Sequence, residues 1–233
     1  IPEKIATGEI GYGFNYRTLS VMLNGYYTQW MDKSVTKAIG SWNGPRACIP
    51  NIDARHMGIE LEASYQPLEW LRVYGFFTIG NWRWTNDVNF TLFNEQNEKI
   101  GEYHAYIKNL HVGNAPQTSA MLGLSCMPVS GLTLGVDFNY YGRHYADFAA
   151  ADRTDEKDRA EAWKLPDYST VDLNLNYDFK MGTFQGQLFG NVNNLFNRKY
   201  ISDALDGSDH TRETAVVWYG FGITWTAGLR ISF

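Results

Sequence analysis

The stretch that decides the fold is TWTAGLRISF, residues 224–233, which ends the chain. Apolar side chains occupy every second position from Trp225 to Phe233, and small or polar residues lie between them. The same alternation extends backward to Tyr219. A period of two places one set of side chains on each face of a β-strand. The pattern therefore predicts one strand over 219–233, long compared with the roughly five or six residues usual in globular proteins.

The same alternation recurs along the rest of the chain, and no segment of helical period competes with it. The further segments are 9–16, 19–28, 58–65, 71–82, 119–125, 132–140, 170–179 and 184–192. With the terminal segment, the sequence predicts an all-β protein of nine strands.

The connections between these segments alternate in length. Short turns are predicted at 17–18, 66–70, 127–131 and 180–183, and long connections at 31–55, 83–116, 143–166 and 197–217. Outer-membrane barrels have short periplasmic turns and long extracellular loops. The pattern thus predicts an antiparallel transmembrane β-barrel with a periplasmic C-terminus. A soluble β-sandwich also alternates its faces, but its loops are not usually sorted by length.

The composition agrees with a barrel, and the net charge argues against one class of partner. Of 233 residues 44% are hydrophobic and 15% aromatic, and no run approaches the roughly 18–20 apolar residues of a membrane helix. Barrel strands escape a hydropathy scan because their two faces average out. A net charge of -5 without a basic stripe argues against nucleic acid as a partner.

The chain reads as a fragment. Its first residues, IPEKIATGEI, have no Met and no signal-peptide pattern. Single-chain bacterial barrels have even strand counts, so we expect further strands upstream of these nine. Cys48 lies in a loop and Cys126 on a strand face, and we expect the two not to pair.

Two stretches near the C-terminus carry a family resemblance. TAGLRISF resembles the signal that the outer-membrane barrel-assembly machinery recognises, and its matching positions are Thr226, Gly228, Ile231 and Phe233. NVNNLFNRKY resembles the element before the last strand of TonB-dependent receptors, with Asn197 where Asp is commoner. The residues that match this family motif are Val192, Asn194, Leu195, Phe196 and Tyr200. LPDYSTVDLNLNYDF and GIELEASYQPLEWLRVYGFFTIGNWRW resemble other strands of the same barrels.

The resemblance implies that residues 1–233 are the C-terminal part of a receptor barrel of about 22 strands, without its plug domain and N-terminal strands. It implies the outer membrane of a Gram-negative bacterium, with details similar to Bacteroidetes receptors. Expected partners are outer-membrane lipid and lipopolysaccharide, the plug of the same chain, the TonB energy-coupling complex and the assembly machinery. The expected function is energy-coupled uptake of a siderophore–iron complex, another metal chelate, cobalamin or a glycan. A passive porin, an outer-membrane enzyme and a soluble sugar-binding protein remain alternatives.

Aromatic and basic residues of the long connections are the candidate ligand contacts. Aromatic faces suit planar or sugar-like ligands, and arginine suits carboxylates. The candidates are Trp42, Arg46, Arg83, Trp84, Tyr103, His104, Arg143 and Tyr145. Trp82 and Trp163 belong to the same set of rim aromatics, for about half of which an interfacial girdle is the alternative role.

The charged loops give no enzyme signature. DALDGSDH, 203–210, is similar to an EF-hand-like metal-binding loop. Leu205 stands at position 3 of that loop, where a metal ligand is needed, so a solvated acidic loop is favoured. The mixed charge run at 151–162 is expected to be solvated as well. No nucleophile or histidine pairs with the strand carboxylates, and we expect neither an enzyme nor a bound cofactor.

Overall fold

A computed structural model describes residues 2–39 and 44–233. The strands of this part of the chain are β1 (Lys4–Tyr16), β2 (Leu19–Ala38), β3 (Arg46–Leu68), β4 (Leu71–Trp84), β5 (Val88–Phe93), β6 (Lys99–Ala105), β7 (Thr118–Val129), β8 (Leu132–Gly142), β9 (Tyr168–Met181), β10 (Phe184–Asn193), β11 (Ile201–Leu205), β12 (Val216–Tyr219) and β13 (Thr224–Ser232). Apart from them there is a 3₁₀ turn at Ala150–Asp152.

Nine of the strands form the main sheet in the order β1-β2-β3-β4-β7-β8-β9-β10-β13, with every neighbour antiparallel. Eight of these strands match predicted segments, and the ninth, β13, is the C-terminal part of the predicted terminal strand. β5 and β6 form a hairpin whose first strand also pairs with β3, and β11 pairs with β12. No helix of the described residues is long and apolar enough to cross a membrane.

The four short turns each contain two residues, at 17–18, 69–70, 130–131 and 182–183. Three of the predicted turns are therefore shorter than expected, because the flanking strands continue into them. Arg17, Gly131 and Gly182 have φ values of 52°, 82° and 63°. Type I′ and type II′ hairpin turns use such positive φ values because they match the twist of the flanking strands.

The long connections lie at the opposite end of the main sheet, which we call the long-loop end. Their described residues are 39, 44–45, 85–117, 143–167 and 194–223. The end that carries the two-residue turns is the short-turn end.

The single strand predicted over 219–233 is wrong, because the segment is divided between two sheets. Tyr219 pairs with Ile201 in β11, whereas Thr224 pairs with Asn193 in β10. Between them the N–H of Gly220 donates to the carbonyl of Tyr200 at 3.0 Å. The alternation survives the break because it reports which face a side chain occupies, and not which strand it pairs with.

The main sheet has one exposed apolar face and one polar face. Ile10, Leu122 and Leu229 are 80%, 61% and 59% exposed on the apolar face. Among the described residues no second sheet covers this face, as a β-sandwich would require. A continuous exposed apolar face of this kind fits a lipid environment. Cys48 and Cys126 are both free, as predicted.

The polar face is held together by its own hydrogen bonds. The hydroxyl of Tyr74 donates to Asp137 Oδ1 at 2.7 Å, and Asn174 Nδ2 donates to Asp137 Oδ2 at 3.3 Å. Gly123 stands opposite Asp137, and a Cβ there would lie 2.4 Å from the Tyr74 ring. The missing side chain thus leaves room for the tyrosine to reach the carboxylate.

The long connections pack against the long-loop ends of β3 and β4 around a shared hydrophobic core, and we call this substructure the loop layer. Its core residues are Ala47, Ile49, Ile52, Ala54, Trp84, Val88, Phe90, Ala105, Ile107, Leu110, Phe148 and Ala150. A fully buried side chain such as Ile49, Ile52 or Phe148 stabilises the fold by about 1.5–3 kcal/mol. These loops are therefore a folded substructure at the long-loop end of the sheet.

Candidate functional site

Four ring-bearing residues lie together on the polar face at the long-loop end. Tyr26 and Trp30 come from β2, His56 from β3 and Trp82 from β4. The register pairs Trp82 with His56, and Trp30 with Ala54, two residues from His56. These four residues therefore form one continuous surface, which we call the aromatic wall.

The rings of the aromatic wall contact one another. The indole N–H of Trp82 donates to the Tyr26 hydroxyl at 2.8 Å. The ring centroids of His56 and Trp82 are 5.5 Å apart, and those of His56 and Trp30 are 6.2 Å apart. Such tilted pairs contribute about 0.5–1.5 kcal/mol beyond the area that they bury. The wall is thus a preorganised surface.

Two glycines make room for these rings. A Cβ at Gly58 would lie 2.6 Å from the Tyr26 hydroxyl, and a Cβ at Gly80 would lie 2.6 Å from Trp82 Nε1. Glycine within a strand often marks such a close approach. Because both positions lack a side chain, Tyr26 and Trp82 lie close over the sheet.

A small polar cavity of about 310 Å³ borders the wall. Glu9, Asn24 and Glu60 line it together with Tyr26, His56 and Trp82. The buried Nδ1 of His56 has no hydrogen-bond partner among the described residues. Buried polar atoms are normally hydrogen-bonded, so an unpaired ring nitrogen is unusual at this position.

The arrangement suits binding. Ring faces can stack on a planar ligand, and the carboxylates of Glu9 and Glu60 accept hydrogen bonds or attract positive charge. Lys33 Nζ lies 4.0 Å from the centroid of the Trp30 ring and adds one positive charge beside the aromatic wall.

Several candidates predicted from the sequence instead pack within the loop layer. Trp84 is only 6% exposed and meets Phe148 edge-on at 5.6 Å, so it packs in the core of the loop layer, and its role as a ligand contact stays a prediction. Tyr145 stacks on His111 with ring centroids 3.9 Å apart. Trp42 lies outside the described residues.

The other candidates do not come together at one place. Arg46 donates to the Asn97 side chain, and His104 Nδ1 lies 2.7 Å from Asn89 Oδ1. Tyr103 is 43% exposed on β6. Arg143 donates to the carbonyl of Gly80 at 2.8 Å. None of these residues lines the cavity below the aromatic wall.

Arg83, also predicted as a ligand contact, belongs to an ion-pair cluster in the loop layer. Its Nη1 lies 3.5 Å from Glu161 Oε2, and His111 Nδ1 lies 2.7 Å from the same oxygen. Burial raises the pKa of Glu161 and the hydrogen bonds from His111 lower it, and the net result is a pKa below the ordinary value. Glu161 therefore stays ionised and fixes the loop that carries it.

The prediction that both charged loops are solvated is wrong for their central residues. Arg153 is fully buried, and its Nη2 lies 2.6 Å from Asp206 Oδ2. His210 lies between Asp206 and Asp158, with its nitrogens 2.6 Å and 2.7 Å from their oxygens. Sequence alone does not reveal this network because its members lie in two different connections. Within the described residues no group of acidic, histidine or cysteine side chains could hold a metal ion.

The predicted family motif forms the turn after β10. Asn194, at φ 51°, accepts from the Arg198 N–H at 2.8 Å and donates to the Phe221 carbonyl at 3.2 Å. Its own N–H donates to Asp172 Oδ1 at 2.7 Å. Tyr200 stacks on Tyr168 at 4.1 Å. Of the remaining motif residues, Val192 pairs with Trp225 and the N–H of Leu195 donates to the carbonyl of Val171. The side chain of Phe196 is 74% exposed.

The residues of the predicted assembly signal lie in or directly after β13. Thr226 pairs with Asn191, and a Cβ at Gly228 would lie 2.3 Å from the Phe189 ring. Ile231 is 55% exposed on the apolar face, and Phe233, directly after the strand, is fully exposed and meets Phe184 edge-on. In the described part of the chain β13 pairs only with β10, so its other edge is open.

Six residues of the wall and its cavity are not among the predicted ligand contacts: Glu9, Asn24, Tyr26, Trp30, His56 and Glu60. They lie inside strands, whereas the search for ligand contacts considered the loops. A signal was present in the alternation. His56 and Glu60 lie on the same face of their strand, on either side of Gly58, and Tyr26 on the neighbouring strand pairs with Gly58.

Comparisons with known proteins agree on one family. Residues 2–195 match the family of TonB-dependent receptor-like β-barrels. The ferrichrome outer membrane transporter/phage receptor of Escherichia coli K12 is 32% identical over 80 residues, which are 34% of this chain and 9% of that protein.

Among solved structures, the copper transporter OprC superposes over 98% of this chain and 32% of its own, with a TM-score of 0.64 and 19% identity. BauA, the ferric preacinetobactin receptor from Acinetobacter baumannii, superposes over 98% of this chain and 29% of its own, with a TM-score of 0.63 and 19% identity. The nine-stranded sheet therefore has the fold of part of a receptor barrel wall. The chain spans about a third or less of the length of these proteins.

Proposed function

The chain belongs to the TonB-dependent receptor-like β-barrel family, and on that premise we propose that it is the C-terminal part of an outer-membrane receptor for energy-coupled uptake of a scarce ligand. In this proposal the long-loop end is extracellular, the short-turn end and C-terminus are periplasmic, and the polar face lines the barrel lumen. The missing strands, the plug and the segment that contacts TonB belong to the rest of the full-length protein.

The observation that supports ligand capture is the aromatic wall. It lies on the proposed lumenal face just below the loop layer, where a ligand entering from outside would arrive before it meets a plug. Its rings contact one another, and Gly58 and Gly80 leave the space that Tyr26 and Trp82 occupy. Rigid aromatic surfaces bind ligands at a low cost in conformational entropy.

The charges near the wall narrow the ligand class. Glu9 and Glu60 face the cavity, and Lys33 adds one positive charge at the opposite edge. This balance favours a neutral or cationic metal chelate with planar groups over a chelate of several negative charges. Ferrichrome and ferric preacinetobactin, named for two similar proteins, are iron chelates, which supports this class.

The polar-face carboxylates supply a surface for the plug. Glu62, Asp137 and Asp172 lie on the proposed lumenal face below the wall. In a water-filled lumen such carboxylates bind arginine and lysine side chains through charge-assisted hydrogen bonds. We expect the plug of the full-length protein to present basic residues to them.

The function is tested by uptake in cells that lack their own chelate receptors and express the full-length protein. Radioactive iron is offered as a neutral ferric hydroxamate or as an anionic ferric catecholate, and labelled oligosaccharides are offered in parallel, with the energy-coupling complex intact or deleted. We expect uptake of the hydroxamate chelate only when the complex is intact. Equal uptake without the complex would instead indicate a passive porin, and uptake only of labelled oligosaccharides would move the ligand class to glycans.

A further inference from the structure

The hairpin of β5 and β6 extends the sheet at the long-loop end. β5 pairs with β3 over Arg46–Cys48, and β6 pairs with β5 from Ala105 opposite Val88 to Lys99 opposite Phe93. In the part of the chain that the structure describes, no strand pairs with the other side of β6. The ends of β2 and β3 together with β5 and β6 therefore form a small extension of the sheet, and β6 is its edge.

The backbone groups at the edge of β6 have a direction that one hydrogen bond reveals. The N–H of Tyr106, directly after β6, donates to the carbonyl of Arg153 at 2.7 Å and so points away from β5. Backbone groups alternate in direction along a strand, and the pairing is regular over 101–105, so the N–H and C=O of Glu102 and His104 also point away from β5. Among the described residues, no hydrogen bond outside the β5–β6 pairing reaches these four groups.

The side chains of β6 leave this edge accessible. Glu102 and His104 lie on one face of the strand, and Tyr103 lies on the other, where it stacks on Phe90 with ring centroids 5.5 Å apart. Natural proteins often block strand edges with lysine, proline or a bulge. On β6 both Lys99 and the register shift lie at the start of the strand, so the rest of the edge can accept another strand.

The tip of the hairpin is acidic. Glu95, Glu98 and Glu102 are all exposed, and the range 94–105 contains one lysine and no arginine. Arg46 reaches the tip from β3 and donates to an asparagine side chain there. Three carboxylates against two cations leave an excess of negative charge, which favours a basic partner.

A second copy of this chain in the same membrane does not fit the edge. Two identical strand edges related by a twofold axis pair antiparallel, whereas two receptors side by side in one membrane hold β6 in the same direction. Two acidic tips would also repel each other, because like charges on paired strands are destabilising. The edge therefore calls for a different chain.

From this geometry we infer that β6 is a docking site for an extended, basic strand of another protein at the cell surface. The N–H and C=O groups of Glu102 and His104 form the main-chain hydrogen bonds, and lysine or arginine side chains of the partner lie beside Glu102 and Glu98. Strand addition of this kind obtains affinity from main-chain hydrogen bonds and specificity from alternate side chains. The inference goes beyond chelate uptake, and it uses only the proposed orientation, which places this hairpin outside the cell.

The site is tested on the full-length receptor in detergent by fluorescence anisotropy with three labelled peptides of the same length. The first alternates lysine with valine, the second alternates glutamate with valine, and the third is the lysine–valine peptide with methylated backbone amides. We expect the first peptide to bind at least about tenfold more tightly than either of the others. The second lacks the complementary charge, and the third lacks the main-chain donors.

Two variants at one position test the backbone directly. His104→Pro removes an N–H that points away from β5, so the pairing of β5 with β6 is kept, as proline on an edge strand allows. His104→Ala keeps that N–H and loses only the side-chain contact with Asn89. We expect His104→Pro to lower the affinity for the lysine–valine peptide by about tenfold relative to His104→Ala, with equal melting temperatures.

The outcomes that would overturn the inference are distinct. Equal affinities of the two variants, or equal binding of the three peptides by the wild type, would show that β6 does not accept a strand. Hydrogen exchange of the receptor without peptide tests a different occupant. We expect the amides of Glu102 and His104 to exchange fast, and slow exchange would show that another segment of the full-length chain already covers β6. Because no chelate is present, these failures differ from a failure of uptake.

Discussion

The guanidinium of Arg153 lies 2.6 Å from the carboxylate of Asp206, and the two side chains are 0% and 1% exposed. Arg153 comes from the connection between β8 and β9, and Asp206 from the connection between β10 and β13. The pair therefore joins two loops that are separate in sequence. Its burial shows that the loop layer is a folded structure and not a set of independent loops.

Removing one partner of this pair should unfold the loop layer. Asp206→Asn removes the closer and more buried of the two carboxylates beside the guanidinium and leaves only Asp158, at 3.8 Å, and breaking a buried ion pair costs about 3–5 kcal/mol. We expect limited proteolysis of the full-length protein to cleave within 143–166 and 194–223 much faster in the variant. Asp209→Asn is the matched control, because Asp209 is exposed three residues away. Equal cleavage of the two variants would show that the pair does not hold the layer.

The loop layer should lose stability at acidic pH because of His144. This imidazole is 4% exposed, and neither ring nitrogen has a hydrogen-bond partner among the described residues. Burial lowers the pKa of His144 below its ordinary value of 6.5, and the charge of Asp203 opposes that shift only in part. The unfolded chain therefore binds a proton below pH 6.5 that the folded protein excludes, so stability falls as pH falls through that range.

The measurement is the loss of melting temperature of the full-length protein between pH 8 and pH 5.5. His144→Leu should reduce this loss, because leucine cannot bind a proton. His104→Leu, which removes an exposed imidazole, should keep the loss of the wild type. Identical losses in His144→Leu and the wild type would contradict the prediction.

Trp82 should be the strongest ligand contact of the aromatic wall. It contacts both Tyr26 and His56, and such central aromatic residues carry a large share of binding energy. We expect Trp82→Ala to weaken chelate binding by at least about 2 kcal/mol, roughly 30-fold, in equilibrium binding to the full-length protein. Trp163→Ala tests the specificity, because Trp163 packs in the loop layer away from the wall. A similar loss in both variants would point to the loop layer instead.

Asn194 should be more important for stability than its polar neighbours. Alanine at this position loses three side-chain hydrogen bonds and keeps an unfavourable positive φ. We expect Asn194→Ala to cost about 2–4 kcal/mol in urea unfolding of the full-length protein in lipid vesicles. Asn191→Ala, an exposed change on the same hairpin, should cost less than about 0.5 kcal/mol.

Phe233 should act in assembly beyond its contribution to the apolar face. Deleting it from the full-length protein should lower outer-membrane levels more than Trp225→Leu, which changes another exposed aromatic residue of the same face. The levels are measured in fractionated cells that lack the main periplasmic protease. Equal levels would leave Phe233 as one more interfacial aromatic residue.

The sequence by itself determined the nine strands, their antiparallel order and the two faces of the sheet. These features follow from a period of two and from the lengths of the connections, which can both be read from short segments of sequence. Within such a segment, the alternation alone assigns Leu122 to the apolar face and Asp137 to the polar face. The positions of the short turns were readable as well: Gly131 and Gly182, which adopt positive φ, lie within the predicted turns at 127–131 and 180–183.

Only the tertiary structure decided what the long connections do and where a ligand could bind. Trp84 and Trp82 are two residues apart on one face, yet one is buried against Phe148 and the other joins the aromatic wall. Arg153 is buried because Asp206, 53 residues away, provides its counter-charge. Pairings between distant segments determine burial and charge partners here, and no pattern within a single segment records them.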